Sequence, residues 1–130
     1  MFNTITTSEA NKIVITELTN KFSLGTENII ARLAFAYSIA KENKLDLKDL
    51  QDAKGKTYPV KILFGNHLEV YIALVCQLYQ IHKSDKDIPK FIKLHLDRGL
   101  NELKEYSDSD GTDFLLKAIE SGIESQLSLF

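Results

Sequence analysis

The chain has 130 residues, 44% of them hydrophobic and 26% charged. That balance excludes a disordered chain and leaves too little length for two separate cores. Sixteen Lys+Arg against 18 Asp+Glu give a net charge of -2, which excludes a grossly cationic nucleic-acid binder of the histone kind. A single cysteine, Cys76, excludes an intrachain disulfide framework and any zinc site needing two thiolates.

In chain order, Asn3 to Thr7 is short, β-branched and alternating, as in a brief strand. Ser8 is placed to cap a helix running to about Lys21, with Ala10, Ile13, Val14, Leu18 and Phe22 on its apolar side. Gly25 ends it and Thr26 caps a second helix, Glu27 to Lys41, which is apolar nearly all round. Residues 42–59 are polar and lysine-rich and read as a loop, with one helical turn around Asp46 to Gln51. Val60 to Phe64 reads as extended. Gly65 and Asn66 then introduce a buried helix, Leu68 to His82. Asp85 or Asp87 caps a further helix with Pro89 in its first turn. Its stripe is Ile88, Phe91, Ile92, His95, Gly99, Leu100 and Leu103. A last amphipathic helix is expected from Thr112 to about Ser125, with Phe114, Leu115, Ala118 and Ile119 inward.

The expected fold is mainly α: a short N-terminal strand, a helix–turn–helix like that of ribbon-helix-helix proteins, a central buried helix and further C-terminal helices. Residues 1–130 form one domain, a body of 1–106 and an acidic helical extension of 107–130. Two helices apolar on nearly all sides exceed what one small subunit buries. A homo-oligomer is therefore expected, meeting through Ile30, Ala31, Ala34 and Tyr37 of the second helix. The first six residues lack a secretory signal, and Leu68 to Ile81 is interrupted by Glu69, Gln77 and Gln80 and shorter than the roughly 20 residues of a membrane span. A cytoplasmic protein without membrane contact is expected.

The residues offer little catalysis. His95 lies within an apolar stripe and reads as a core histidine. His67 and His82 stand near opposite ends of one helix, too far apart to share a metal. No Gly-rich phosphate loop or Cys/His ligand spacing occurs, and burial of Cys76 raises its thiol pKa. Catalytic residues, metal and cofactor are all expected to be absent.

The lysines carry more. The body holds 15 basic and 13 acidic groups, net +2, and residues 107–130 hold one Lys against five acids, net -4. Lys86, Lys90 and Lys93 recur at helical spacing opposite the apolar stripe, with Lys83 beside them. Lys41, Lys44, Lys48, Lys54, Lys56 and Lys61 form a second cluster. Ammonium groups suit phosphates and read base edges poorly. The backbone N–H groups at Thr26 offer one more phosphate contact. Thr4 and Thr6, the ribbon positions, are small and uncharged, which favours binding through DNA backbone and shape.

The stretch Thr26-Glu27-Asn28-Ile29-Ile30-Ala31-Arg32-Leu33-Ala34-Phe35-Ala36-Tyr37-Ser38-Ile39 resembles the second helix of the DndE family of bacterial DNA phosphorothioation systems. Leu63-Phe64-Gly65 followed by Val70-Tyr71-Ile72-Ala73-Leu74 resembles that family's central helix. Phe91 through His95-Leu96-Asp97-Arg98-Gly99-Leu100 resembles its H-L-x-R-G helix. Together the three pieces, in register, span roughly residues 3–106. The resemblance implies a non-enzymatic subunit that binds duplex DNA, preferring nicked duplex, and assembles as a homo-oligomer, a tetramer. It also implies work beside the other Dnd proteins, which supply cysteine desulfurase, iron–sulfur sulfurtransferase and ATPase. Thr4 and Thr6 depart from the basic residues of relatives, and the tail after Ser107 falls outside the match. Two other readings use the same residues: a ribbon-helix-helix regulator of a specific operator, and a scaffold without DNA contact.

Overall fold

The computed structural model describes residues 2–22 and 27–104. Their order is β1 (Thr4–Thr6), α1 (Glu9–Phe22), α2 (Glu27–Ala40), β2 (Thr57–Pro59), α3 (Val60–Phe64), α4 (Leu68–Tyr79) and α5 (Ile88–Lys104). Short 3-10 turns stand at Leu47–Asp49 and Gly65–His67. The fold is mainly α, as expected. The predicted helix from Thr112, and Gly25 and Thr26 before α2, lie outside the described residues.

α1 starts where its sequence says it should. Ser8 Oγ accepts the Asn11 N–H at 3.2 Å, satisfying one of the donors a helix leaves open at its start. The inward side is turned from the expected one: Val14, Ile15 and Leu18 are buried, while Ala10 and Ile13 are exposed. α5 buries Ile88, Ile92, His95, Gly99, Leu100 and Leu103 as its stripe predicts. Phe91, at the edge of the stripe, stacks on Tyr79 at 3.9 Å between centroids.

α2 and α5 form the most extensive helix pair and occupy the centre of the fold. Gly99 is what lets them meet so closely. A Cβ built there would collide with the main-chain carbonyl of Ala34. Beside this crossing, Phe35 packs edge-on to Phe64 at 5.1 Å and to Tyr71 at 5.6 Å.

That crossing corrects the expected oligomer interface. Ile30, Ala31 and Ala34 are wholly buried within the chain, because the small residues of α2 receive α5 of the same subunit. Tyr37 is half-buried against the same core. The centre is filled by α2 and α5, and the Leu68 helix lies on the flank. Only Tyr71, Leu74 and Val75 of α4 are buried, and Glu69, Ala73 and Gln77 face outward.

Two further expectations change. Val60 to Phe64 is helical, and the residues just before it are the extended ones. β2 pairs antiparallel with β1 in the register Thr4↔Pro59, Ile5↔Tyr58 and Thr6↔Thr57. Ile5 and Tyr58 are both buried, so the strand is set by this cross-strand pair more than by local preference. β1 thus has its ribbon partner within its own chain, unlike a ribbon-helix-helix dimer. α3 and α4 are divided at Gly65, whose φ of 57° and ψ of -137° suit glycine alone. Together they make the 20-residue stretch Val60–Tyr79, which contains an 18-residue window of mean hydropathy 1.3, long and apolar enough by length and composition to cross a membrane. Only 28% of that window is buried in the fold.

Candidate nucleic-acid interface

Which lysines are available to a ligand depends first on what the fold does with its charges. Lys93 is consumed internally. Its ammonium donates to Thr6 O, Asp52 O and Asp97 Oδ2, each at 2.8 Å, and its side chain is 13% exposed. Asp97, 2% exposed, also accepts from Ser8 N at 3.1 Å and Asn11 Nδ2 at 2.8 Å. This buried cluster ties β1, the start of α1 and the lysine-rich loop to α5. The expectation that Lys93 meets phosphate is therefore corrected, since an ammonium already donating to three acceptors, one of them the buried Asp97 carboxylate, has no donor left to offer.

Lys41 pairs with Glu102 at 2.6 Å and lies over the Tyr37 ring. Lys48 pairs with Asp46 at 3.7 Å, Lys56 with Glu27 at 3.8 Å, and Lys90 with Asp87 at 3.5 Å. These lysines are exposed, and the pairs of Lys48, Lys56 and Lys90 are loose enough for phosphate to compete, whereas Lys41 is held closely by Glu102. Lys44, Lys54, Lys61, Lys83 and Lys86 are exposed and form no ion pair with a described carboxylate.

The ends of β1 bring several of these positions near one another. At its C-terminal end, Gly55 N donates to Thr7 O at 3.0 Å and Thr7 N to Lys56 O at 2.9 Å, fixing Lys54 and Lys56 there. At its N-terminal end, Val60 N donates to Asn3 O at 2.9 Å, next to Lys61. Phe2 lines a groove shared with Lys83 and Lys86. Lys44 stands apart, beside Leu45, whose N–H donates to the Tyr79 hydroxyl at the end of α4. Lys41 lies near the far end of α5, and Lys48 in the loop that packs on α5. Thr26 is outside the described residues.

Both arginines serve helix ends. Arg32 donates to Leu63 O at 2.6 Å and Ile62 O at 3.1 Å at the end of α3. Arg98 donates to Ser38 O at 2.6 Å and Ser38 Oγ at 2.8 Å near the end of α2. Each guanidinium donates to carbonyls in a helix's last turn and opposes its negative end. The fork that would read a guanine edge is used inside the fold in both cases.

His95 is the satisfied core histidine its stripe suggests. It is wholly buried, with Nδ1 2.8 Å from Ser38 Oγ and Nε2 2.7 Å from the Tyr79 hydroxyl. Burial, with Arg98 nearby, pushes its pKa down from 6.5 to about 3. Below pH 6.5 the unfolded chain takes a proton that the folded chain refuses, so stability falls with acidification until the folded pKa is reached. We expect about 2 kcal/mol to be lost between pH 7 and pH 5 on this account. Urea unfolding at both pH values measures it, and His95→Gln should remove most of the difference.

Cys76 is half-buried, and burial with Asp85 nearby pushes its thiol up. Burial, with Glu27 nearby, raises the Tyr58 hydroxyl. Among the described residues no group of three or more His, Cys, Asp and Glu is placed to hold a metal ion. The exposed lysines at the ends of β1 are the candidate interface, and sequence periodicity alone did not separate them from Lys93.

No curated protein sequence matches the chain. Its fold is similar to that of DndE from Escherichia coli B7A, a protein involved in DNA phosphorothioation modification, with a TM-score of 0.63 at 22% identity. That match covers 79% of this chain and 98% of the other. Residues 4–110 match the family model of the DNA sulphur modification protein DndE, and the chain belongs to the DndE family.

Proposed function

We propose that the chain is a non-catalytic DNA-binding subunit of a DNA phosphorothioation system, acting on duplex DNA, nicked duplex in preference, beside the sulfurtransferase and ATPase proteins of that system. The observation that carries the reading is the set of exposed lysines that form no ion pair among the described residues, Lys54, Lys61, Lys83 and Lys86, at the two ends of β1. Lys56 and Lys90 add to it by exchanging a loose carboxylate for phosphate. With both arginines inside the fold, affinity rests on phosphate contacts and little on base edges.

A homo-oligomer, a tetramer by family, is part of the same reading. The fold supports a different face for it from the one the sequence suggested: the outward side of α3 and α4, where Ile62 is 53% exposed and Ala73 is small enough for close approach. Light scattering of the purified chain tests the state.

Gel-shift titration with nicked, intact and single-stranded DNA at two salt concentrations tests the binding. Lys54→Glu/Lys83→Glu/Lys86→Glu is expected to weaken duplex binding at least tenfold. Losing three phosphate contacts should also flatten the salt dependence of log K by about 2.7, at 0.9 per contact. Absence of any low-salt binding by the unaltered chain would overturn the proposal.

A further inference from the structure

The N-terminal end of α5 borders a groove of about 450 Å³ whose floor is apolar and whose rim is cationic. Phe2, Ile72, Ile88 and Pro89 supply the floor, and Lys83 and Lys86 the rim. Neither lysine forms an ion pair with a described residue. Asp85 also lines the groove, but its Oδ1 already accepts the Asp87 N–H at 2.8 Å.

The chemistry that fits such a groove is an acidic segment with an apolar side. The chain carries one of its own. Residues 112–130 alternate Phe114, Leu115, Ala118, Ile119 and Ile123 with Asp113, Glu120 and Glu124. They lie beyond residue 110, where the match to the family model stops. We propose that this C-terminal segment docks in the groove of its own chain, its apolar side on the floor and its carboxylates toward Lys83 and Lys86.

Length allows it. α5 has 17 residues, so at 1.5 Å per residue its two ends are about 25 Å apart. The seven residues 105–111, with their Ser, Asp and Gly, reach about 23–25 Å when extended. Extended, this linker is long enough to bring residue 112 to the groove. Because the segment is tethered, the encounter is intramolecular, and pairing weaker than a free peptide would need is enough to hold it. It meets the same lysines that the proposed function gives to DNA. The docking itself does not depend on that function, whereas its consequence, competition with DNA, does.

Photo-crosslinking in the full-length protein tests the docking. A benzophenone side chain in place of Ile119 is expected to capture residues 83–89, Ile72 or Phe2 within one chain, as read by peptide mass spectrometry. Capture elsewhere, capture between two chains or no capture overturns the proposal. Ile72→Trp, with folding checked by circular dichroism, fills the groove and should abolish capture; persistence overturns it equally. For the consequence, Asp113→Asn/Glu120→Gln/Glu124→Gln is expected to raise duplex affinity about tenfold at low salt, on the order of the change from releasing one or two phosphate contacts. Unchanged affinity overturns the competition. If neither protein binds DNA, the function above fails while the crosslink still decides the docking.

Discussion

Asp97→Ala is expected to lower the unfolding free energy by about 3–5 kcal/mol, the range for leaving a buried charge without its partner. The Lys93 ammonium would keep two carbonyl acceptors but lose its counter-ion in a position only 13% exposed. Ser8 N and Asn11 Nδ2 would lose an acceptor together. Lys93→Met alone should be costly for the mirror reason. The double variant Lys93→Met/Asp97→Ala should cost clearly less than the sum of the singles, because no uncompensated charge remains. Guanidinium unfolding of the four proteins closes the cycle. Additive losses would mean that the pair is not coupled as its 2.8 Å separation implies.

Gly99→Ala is expected to destabilise by about 3 kcal/mol, at the upper end of overpacking costs. The sign is the telling part. In an ordinary helix interior the same change stabilises by roughly 0.5–1 kcal/mol, since alanine loses less backbone freedom. Here the added methyl meets the Ala34 carbonyl, a main-chain group that cannot rotate away. α2 and α5 must separate, and the packing of Leu96, Leu100 and Phe35 is disturbed with them. Thermal unfolding of Gly99→Ala against the unaltered chain is a direct measurement, and an unchanged or raised midpoint would contradict the close crossing.

How far the sequence disclosed this structure depended on whether local chemistry or distant contact decided each element. The cap at Ser8 and the stripe of α5 were legible because both follow from short-range rules, an oxygen facing open N–H groups and a period of 3.6 residues. Val60-Lys61-Ile62 misleads for a related reason: its β-branched residues favour an extended chain, and docking of Leu63 and Phe64 into the core overrides them. Thr57–Pro59 is a strand only because Ile5 lies opposite Tyr58. The small residues of α2 correctly signalled a close helix contact, but they carry no information on whether the partner belongs to the same chain.

The candidate site was legible as a composition and not as a surface. Lys86, Lys90 and Lys93 read as one helical series, yet Lys86 precedes α5 and Lys93 turns inward. The signal was present in the spacing of Lys93 and Asp97, an i, i+4 pair of opposite charge beside an apolar stripe. Such a pair more often lies on a solvated face, and only the arrival of β1 and Asn11 makes it interior. The use of Arg32 and Arg98 at helix ends was not readable either, since it depends on where α3 and α2 stop relative to helices distant in sequence.

The buried cluster around Asp97 also orders events during synthesis. Ser8 and Asp97 are 89 residues apart, so the opening strand and helix are made long before their anchor exists. At about 5–20 residues per second, roughly 4–18 s pass between them. Throughout that interval Ile5, Ile15 and Leu18 have no α5 to cover them. The domain closes only when its last described helix leaves the ribosome, and the strand and helix that open the fold are among the last to reach their final contacts.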